Sequence, residues 1–233
     1  MKIGIIGAME SEVSALKETM QVNSVTTKAG MDFYEGVLEQ TPVVVVQSGI
    51  GKVNAAMCVQ ILADLFDITH VMNTGVAGSL NAKLNIGDIL VSEKAIQHDM
   101  DVTIFGYAPG QVPGTKSRDF IADPAMADAA LTVCGQVNPD VTTIKGCVVS
   151  GDQFISSAEV KDRLIREFHG DCAEMEGASI AQAATLNGLP FVVIRAISDK
   201  ADGSAEMDYP TFEKQAAEHC AKMVVEFVKT FHE

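Results

Sequence analysis

The sequence predicts an α/β sandwich, on three observations. Short apolar runs of strand length alternate with helix-period segments along the whole chain. One run, Val43 to Val46, is apolar at consecutive positions and so suits a strand covered on both faces. Polar residues gather where strands give way to loops, the edge at which open α/β sheets hold ligands. The 233 residues, 47% of them hydrophobic, suffice to bury one large core. No repeat, low-complexity stretch or linker-like composition marks a boundary, so one domain over 1–233 is expected.

Lys2 to Gly7 reads as a strand rich in Ile and Gly, followed by a helix in which Met9, Val13, Leu16 and Met20 recur on one face. Phe33 to Leu38 and Thr41 to Gln47 read as two more strands. Ser48-Gly-Ile-Gly then opens a helix whose expected buried stripe is Val53, Met57, Ile61 and Leu65. His70 to Asn73 is a strand ending at the glycine-rich turn Thr74-Gly-Val-Ala-Gly. Ile86 to Gln97 is a strand, and Asp99 to Arg118 a long loop of the kind usually tied to function. Asp123-Pro124 is an N-cap with proline at the first helical position. Ile144 to Val149 runs into Ser150-Gly-Asp-Gln-Phe-Ile, and Ser156 with Glu159 forms a capping box for the next helix. Cys172 to Met175 is short and extended. An Ala-rich helix runs from Glu176 to a stop at Gly188, Phe191 to Ser198 is a buried strand, and Pro210 opens a long final helix.

The formal net charge of −14, with only 17 basic residues and no local run of them, argues against a nucleic-acid partner. The first residues make neither a signal peptide nor a membrane span, so the cytoplasm is the expected location and no membrane contact is expected. The five cysteines are far apart, with no C-x-x-C pair, and read as reduced core filler.

Acids at four strand ends are candidates for chemistry. In Gly7-Ala-Met-Glu-Ser-Glu12, the second acid falls in the first helical turn, where the dipole favours its ionised form. Glu12 then suits a base, or Glu10 and Glu12 simply favour a helix start. The Gly-Ile-Ile-Gly spacing lacks the three glycines of a dinucleotide site, so no cofactor is expected. Glu174-Met-Glu176 places two acids on either side of an apolar residue just after a short strand, and they are expected to point in opposite directions. A carboxylate there can accept two hydrogen bonds from vicinal sugar hydroxyls, each worth about 1.5–3 kcal/mol, or it can merely start a helix. Asp199 emerges from an apolar strand, partly desolvated, which suits a proton donor; an N-cap or a pair with Arg195 is the structural alternative. The loop His98-Asp-Met-Asp101 has acids and one His but no second His, so no metal is expected. Phe105, Tyr107 and Pro113 in that loop suit a lid or a subunit contact.

These segments together resemble the bacterial 5′-methylthioadenosine/S-adenosylhomocysteine nucleosidases. The resemblance runs from Met1-Lys-Ile-Gly-Ile-Ile-Gly-Ala-Met-Glu through Ser48-Gly-Ile-Gly-Lys-Val, Asn73-Thr-Gly-Val-Ala-Gly, His98-Asp-Met-Asp-Val-Thr-Ile-Phe-Gly-Tyr, Val149-Ser-Gly-Asp-Gln-Phe-Ile and Glu174-Met-Glu to Arg195-Ala-Ile-Ser-Asp. It implies a three-layer α/β/α sandwich around a mixed central sheet, the nucleoside phosphorylase/hydrolase fold, and a homodimer. It also implies that Glu12 activates water, Asp199 protonates N7 of adenine, and Glu176 holds the ribose hydroxyls. By the same resemblance Phe154 stacks on the purine, the Ile155 backbone reads its edge, Ser198 orients Asp199, and Arg195 lies near Glu12 and the water. Met9, Ile50, Met175 and Tyr209 would line the ribose and 5′ pocket, with Phe105 and Pro113 of a second subunit. Val76 stands where many members have Ser, which leaves only backbone amides such as those of Val76 and Gly78 in that segment; Tyr209 stands where Phe is common.

Two rivals differ in kind. A phosphorylase needs cations for phosphate, yet no Arg precedes Arg118 and only Lys52 lies near the segments at Gly49 and Gly75. A non-catalytic nucleoside sensor would gain little from an acid and a base at one bond.

Overall fold

The computed structural model describes residues 1–232. The first strand, β1 (Ile3–Gly7), leads into α1 (Glu10–Thr19), followed by β2 (Gln21–Lys28), β3 (Met31–Leu38), β4 (Thr41–Gln47) and α2 (Lys52–Leu65). Next come β5 (His70–Ser79), β6 (Ile89–Gln97), a 3-10 turn at Thr103–Phe105, β7 (Phe120–Ile121), α3 (Pro124–Val137) and β8 (Thr143–Ser150). The chain ends with α4 (Ala158–Phe168), β9 (Cys172–Glu174), α5 (Gly177–Leu186), β10 (Phe191–Asp199) and α6 (Ala205–Thr230). The strands form one mixed sheet in the order β2-β3-β4-β1-β5. Beyond β5 it closes on itself, because β5 pairs with both β10 and β9, and β6 and β8 complete the ring.

Period-two alternation makes the layers. Along β4, Val43 and Val45 face one core while Val44 and Val46 face the other; Ile5 and Ile6 of β1 divide the same way. Helices α1, α3 and α6 cover the first face through Leu16, Met126, Val224 and Phe227. Helices α2 and α5 cover the second through Val59, Leu62, Ile180 and Ala184. All five cysteines are free and buried, as expected of filler. The Asp123 carboxylate caps α3 by accepting from the Met126 amide at 2.9 Å.

The structure corrects several expectations. Strand β2 was not foreseen: it is an edge strand, exposed over nearly its whole length, so it has no buried face to leave a periodic signal. The buried face of α2 is Ala55, Cys58, Val59 and Leu62, not the larger residues beside it. Val53 is 70% exposed, Met57 and Leu65 are exposed too, and Ile61 is only partly buried. Small residues let α2 lie close to the sheet, which turns the bulky stripe outward. Thr74-Gly-Val-Ala-Gly is no turn, because β5 continues through it to Ser79. The Ser156 capping box does not form; the N-cap of α4 is Ser157, without a side-chain cap bond. Helix α6 starts at Ala205, five residues before Pro210, which therefore lies inside the helix.

Candidate active site

The carboxyl ends of β1, β5, β9 and β10 surround a cavity of ≈ 330 Å³. Of the residues singled out in the sequence, Glu12, Asp199, Glu176, Met175, Phe154, Ile155, Ser198, Met9, Ile50, Val76, Gly78 and Tyr209 line it. Arg195 does not: it is fully buried behind the wall. Phe105 and Pro113 sit on the exposed loop, away from this chain's cavity. Sequence reasoning missed Ala8, Ala77, Ala173, Ala201 and Gln153, which also line it. Small residues carry no chemical signal, and only the proximity of Gln153 to Phe154 could have found that residue.

Glu12 sits at the third position of α1, and one oxygen accepts from the amides of Ala8 at 2.6 Å and Met9 at 3.0 Å. The other accepts from the Val76 amide of β5 at 3.0 Å. A carboxylate offers about four acceptor positions, so these three bonds fix its direction and leave room for a proton from water. The helix dipole favours the ionised form of Glu12, but burial acts in the opposite direction. Burial pushes its carboxyl up, against the lowering by Arg195 and the three amides.

Asp199 ends β10, where its carboxylate accepts from the Ser198 hydroxyl at 2.9 Å and from the Ala201 amide at 2.8 Å. Burial pushes this carboxyl up as well, and the acids Asp208 and Asp202 add to the rise. It makes no pair with Arg195, which instead donates to Glu174 at 2.5 Å and 3.1 Å and to Asn73 at 2.5 Å. The two carboxyls thus see different fields, with a buried cation acting on Glu12 and further acids acting on Asp199.

Strand β5 runs between them. A Cβ on Gly75 would stand 2.3 Å from Glu12 Oε1, and one on Gly78 would stand 2.7 Å from Asp199 Oδ1. Both glycines make room for a carboxylate. Two residues of strand, Val76 and Ala77, stand between them, and the three steps of strand span roughly 10 Å.

The acids of Glu174-Met-Glu176 do part company, because β9 ends at Glu174 and the backbone has left the extended conformation at Glu176, the N-cap of α5; in a continuous strand they would share a face. Glu174 is pinned by Arg195, by the Ser150 hydroxyl and by the Gly177 amide at 2.8 Å. Burial raises its pKa, but Arg195 and these donors outweigh that and hold it below the usual carboxylate range. Glu176 faces the cavity, accepting from the Gly51 amide at 2.8 Å. Burial, with the Glu174 charge beside it, pushes Glu176 up to about 8.

That shift has a measurable consequence. The neutral Glu176 carboxyl contributes stability that is fully present below pH 4.5 and lost as the pH rises through about 8. In ligand-free protein, Glu176→Gln is expected to raise the thermal midpoint above that pH by roughly 5–10 °C, and to change it little in acid. Thermal unfolding of both proteins across pH checks this; a difference that does not vary with pH would exclude the raised pKa.

No group of three or more His, Cys, Asp or Glu able to hold a metal occurs among the described residues. Lys52, beside the Gly49 segment, is engaged at 2.5 Å by Asp99, and Lys17, which lines a neighbouring cavity together with Gly49, by Glu10 at 2.7 Å.

The phosphorylase superfamily profile matches residues 2–229. The 5′-methylthioadenosine/S-adenosylhomocysteine nucleosidase of Anoxybacillus flavithermus is 43% identical over 96% of both chains. The Neisseria meningitidis nucleosidase, crystallised with methylthio-immucillin-A, superposes with a TM-score of 0.95 at 38% identity, covering 99% of each chain. The futalosine hydrolase of Helicobacter pylori superposes with a TM-score of 0.94 at 33% identity, covering 99% of this chain and 98% of the other. The sequence resemblance, the mixed sheet between helical layers and these matches agree: the chain belongs to the phosphorylase superfamily and, within it, to the family of 5′-methylthioadenosine/S-adenosylhomocysteine nucleosidases.

Proposed function

We propose that this enzyme, acting as one domain and without a cofactor, hydrolyses the N-glycosidic bond of 5′-methylthioadenosine and S-adenosylhomocysteine, and also accepts 5′-deoxyadenosine. Adenine and the 5′-substituted ribose are the products. The supporting observation is the pair of carboxyls on one cavity, Glu12 under a buried cation and Asp199 among acids.

In this mechanism Asp199, protonated, gives its proton to N7, so the purine leaves neutral. Ser198 and the Ala201 amide fix the direction of that carboxyl. Glu12, ionised, orients water and takes its proton. The ribosyl group becomes oxocarbenium-like, so Glu12, and Glu176 once it has lost its proton, stabilise charge absent from the ground state. Glu176 also accepts from the 2′ and 3′ hydroxyls. Phe154, half exposed at the mouth and 5.6 Å from the Tyr209 ring, stacks on the purine, and the Ile155 backbone meets its edge. Met9, Ile50, Met175 and Tyr209 give the 5′ substituent an apolar wall. Arg195 is a positioning residue, acting on Glu12 by its charge and on the Glu176 segment through Glu174.

Water rather than phosphate is the nucleophile. The cations near the site are committed, Lys52 to Asp99 and Arg195 to Glu174. Adenine release in phosphate-free buffer is expected to match that in phosphate buffer, with the free 5′-substituted ribose as product. A phosphate requirement, with ribose 1-phosphate formed, would refute the hydrolytic reading. Rates on 5′-methylthioadenosine, S-adenosylhomocysteine, 5′-deoxyadenosine and aminodeoxyfutalosine, measured in parallel, rank the 5′ arms.

The enzyme acts as a homodimer in this reading, with Phe105 and Pro113 of each subunit closing its partner's 5′ pocket. Phe105 is 76% exposed, and the outward stripe of α2 needs a cover. Sedimentation equilibrium is expected to give twice the chain mass, and a monomer at micromolar concentration would exclude the shared pocket.

A further inference from the structure

The first amides of a helix have no partner within it, and the N-cap of α2, Gly51, has no side chain to supply one. Two carboxylates from other segments take them. The Gly51 amide donates to Glu176 Oε1 at 2.8 Å, and the Lys52 amide to Asp152 Oδ1 at 2.8 Å. Asp152 opens the segment Gln153, Phe154 and Ile155 that lines the candidate active site. Asp99, just past β6, joins both: one oxygen meets the Lys52 ammonium at 2.5 Å, and the other accepts from the Asp152 amide at 3.0 Å. Lys52, Asp99 and Asp152 therefore form a closed ring. The Lys52 and Asp99 side chains are only 19% and 18% exposed, so their pair is partly shielded from water. Burial raises the Asp99 carboxyl, but Lys52 and the Asp152 amide outweigh that and hold it below its ordinary range. A Cβ on Gly151 would stand 2.5 Å from the His98 ring and 3.1 Å from Asp99 Cγ, so the segment lies directly against these two residues. Residues 151–157 lie outside helix and strand, and the Asp99 bond holds them where no ladder does.

We propose that Asp99 is a positioning residue for nucleoside binding: the ring it closes with Lys52 and Asp152 holds the purine-bearing segment Gln153–Ile155 against the start of α2, whose Gly51 amide orients Glu176. The inference rests on the nucleosidase reading above, in which Phe154 and Ile155 meet the purine and Glu176 the ribose. Asp99 touches neither. It acts by keeping two subsites from different parts of the chain at a fixed spacing, so that a nucleoside finds both already in place.

The test measures kcat and KM for 5′-methylthioadenosine, the inhibition constant of adenine, and thermal unfolding, in wild type, Asp99→Ala, Lys52→Met and the double variant. Adenine has neither sugar nor 5′ arm, so its inhibition constant reads the purine side alone. Asp99→Ala is expected to raise that constant and KM together by about fivefold, with kcat reduced less than about threefold. Lys52→Met should raise both by about twofold or more, and the double variant should lose no more than Asp99→Ala, because a ring already opened is not opened again. Adenine inhibition unchanged in both single variants, even with a lowered thermal midpoint, would leave the ring a stabilising role only and overturn the proposal. So would losses that multiply in the double variant. If Asp99→Ala does not fold, Lys52→Met decides alone, by whether adenine inhibition weakens or stays as in wild type. A wild-type protein that releases no adenine from 5′-methylthioadenosine would instead overturn the nucleosidase reading, and the positioning role with it.

Discussion

Asp199→Asn is expected to slow adenine release by about 10³-fold while leaving nucleoside binding within a fewfold of wild type. Asn keeps the size of the side chain and can still accept from the Ala201 amide, so the fold loses little. What it lacks is a proton to give. Adenine expelled without protonation at N7 carries a full negative charge into a cavity where the acids Asp208 and Asp202 already raise the potential cost of an anion. A ribosyl donor whose leaving group departs readily without a proton should therefore be spared most of the loss. Single-turnover rates on both substrates check this, and an Asn variant retaining a tenth or more of the wild-type rate on 5′-methylthioadenosine would remove Asp199 from the chemistry.

Glu12→Gln is expected to cost about 10²–10⁴-fold in kcat. Its amide cannot take a proton from water, and it cannot supply the negative charge that balances the ribosyl cation. The pH profile supplies an independent readout. Wild-type activity should fall at the low-pH end as Glu12 gains a proton and at the high-pH end as Asp199 loses one, with both limbs above the ordinary carboxylate range because burial raises each carboxyl. The Gln variant should lose the acid limb and keep the alkaline one. Gln also places an NH₂ against amides that now donate to Glu12 from Ala8, Met9 and Val76, so some stability is lost too. Thermal unfolding separates that cost from catalysis. A well-folded Glu12→Gln enzyme with near-normal kcat and an intact acid limb would end its assignment as the base.

Much of this site is legible in the residues themselves. Asp199 stands out because an acid at the end of an apolar strand is unusual, whereas acids at helix starts such as Glu12 are common, and it is the resemblance of the surrounding segments to one family over nearly the whole chain that singles out Glu12 and Glu176. The tertiary structure places all three on one cavity. Its glycines were legible only as a turn. Gly75 and Gly78 are in fact strand residues, each lacking a side chain because a carboxylate from another element occupies that space. The α2 stripe shows the same gap, since periodicity found four large apolar residues on one face and assigned that face to the core.

The sequence by itself determined the alternation of strands and helices, the cap at Asp123 and the identity of the acids, because each depends on neighbours within a few residues along the chain. Only the tertiary structure decided which face of α2 turns inward, that β2 forms an exposed edge, and that Glu12 is raised rather than lowered. Those outcomes depend on burial and on groups brought from distant segments: Val76 reaches Glu12 from 64 residues away, and Arg195 acts on it across most of the chain's length. Local pattern records which residues avoid water, and packing determines what each one meets instead.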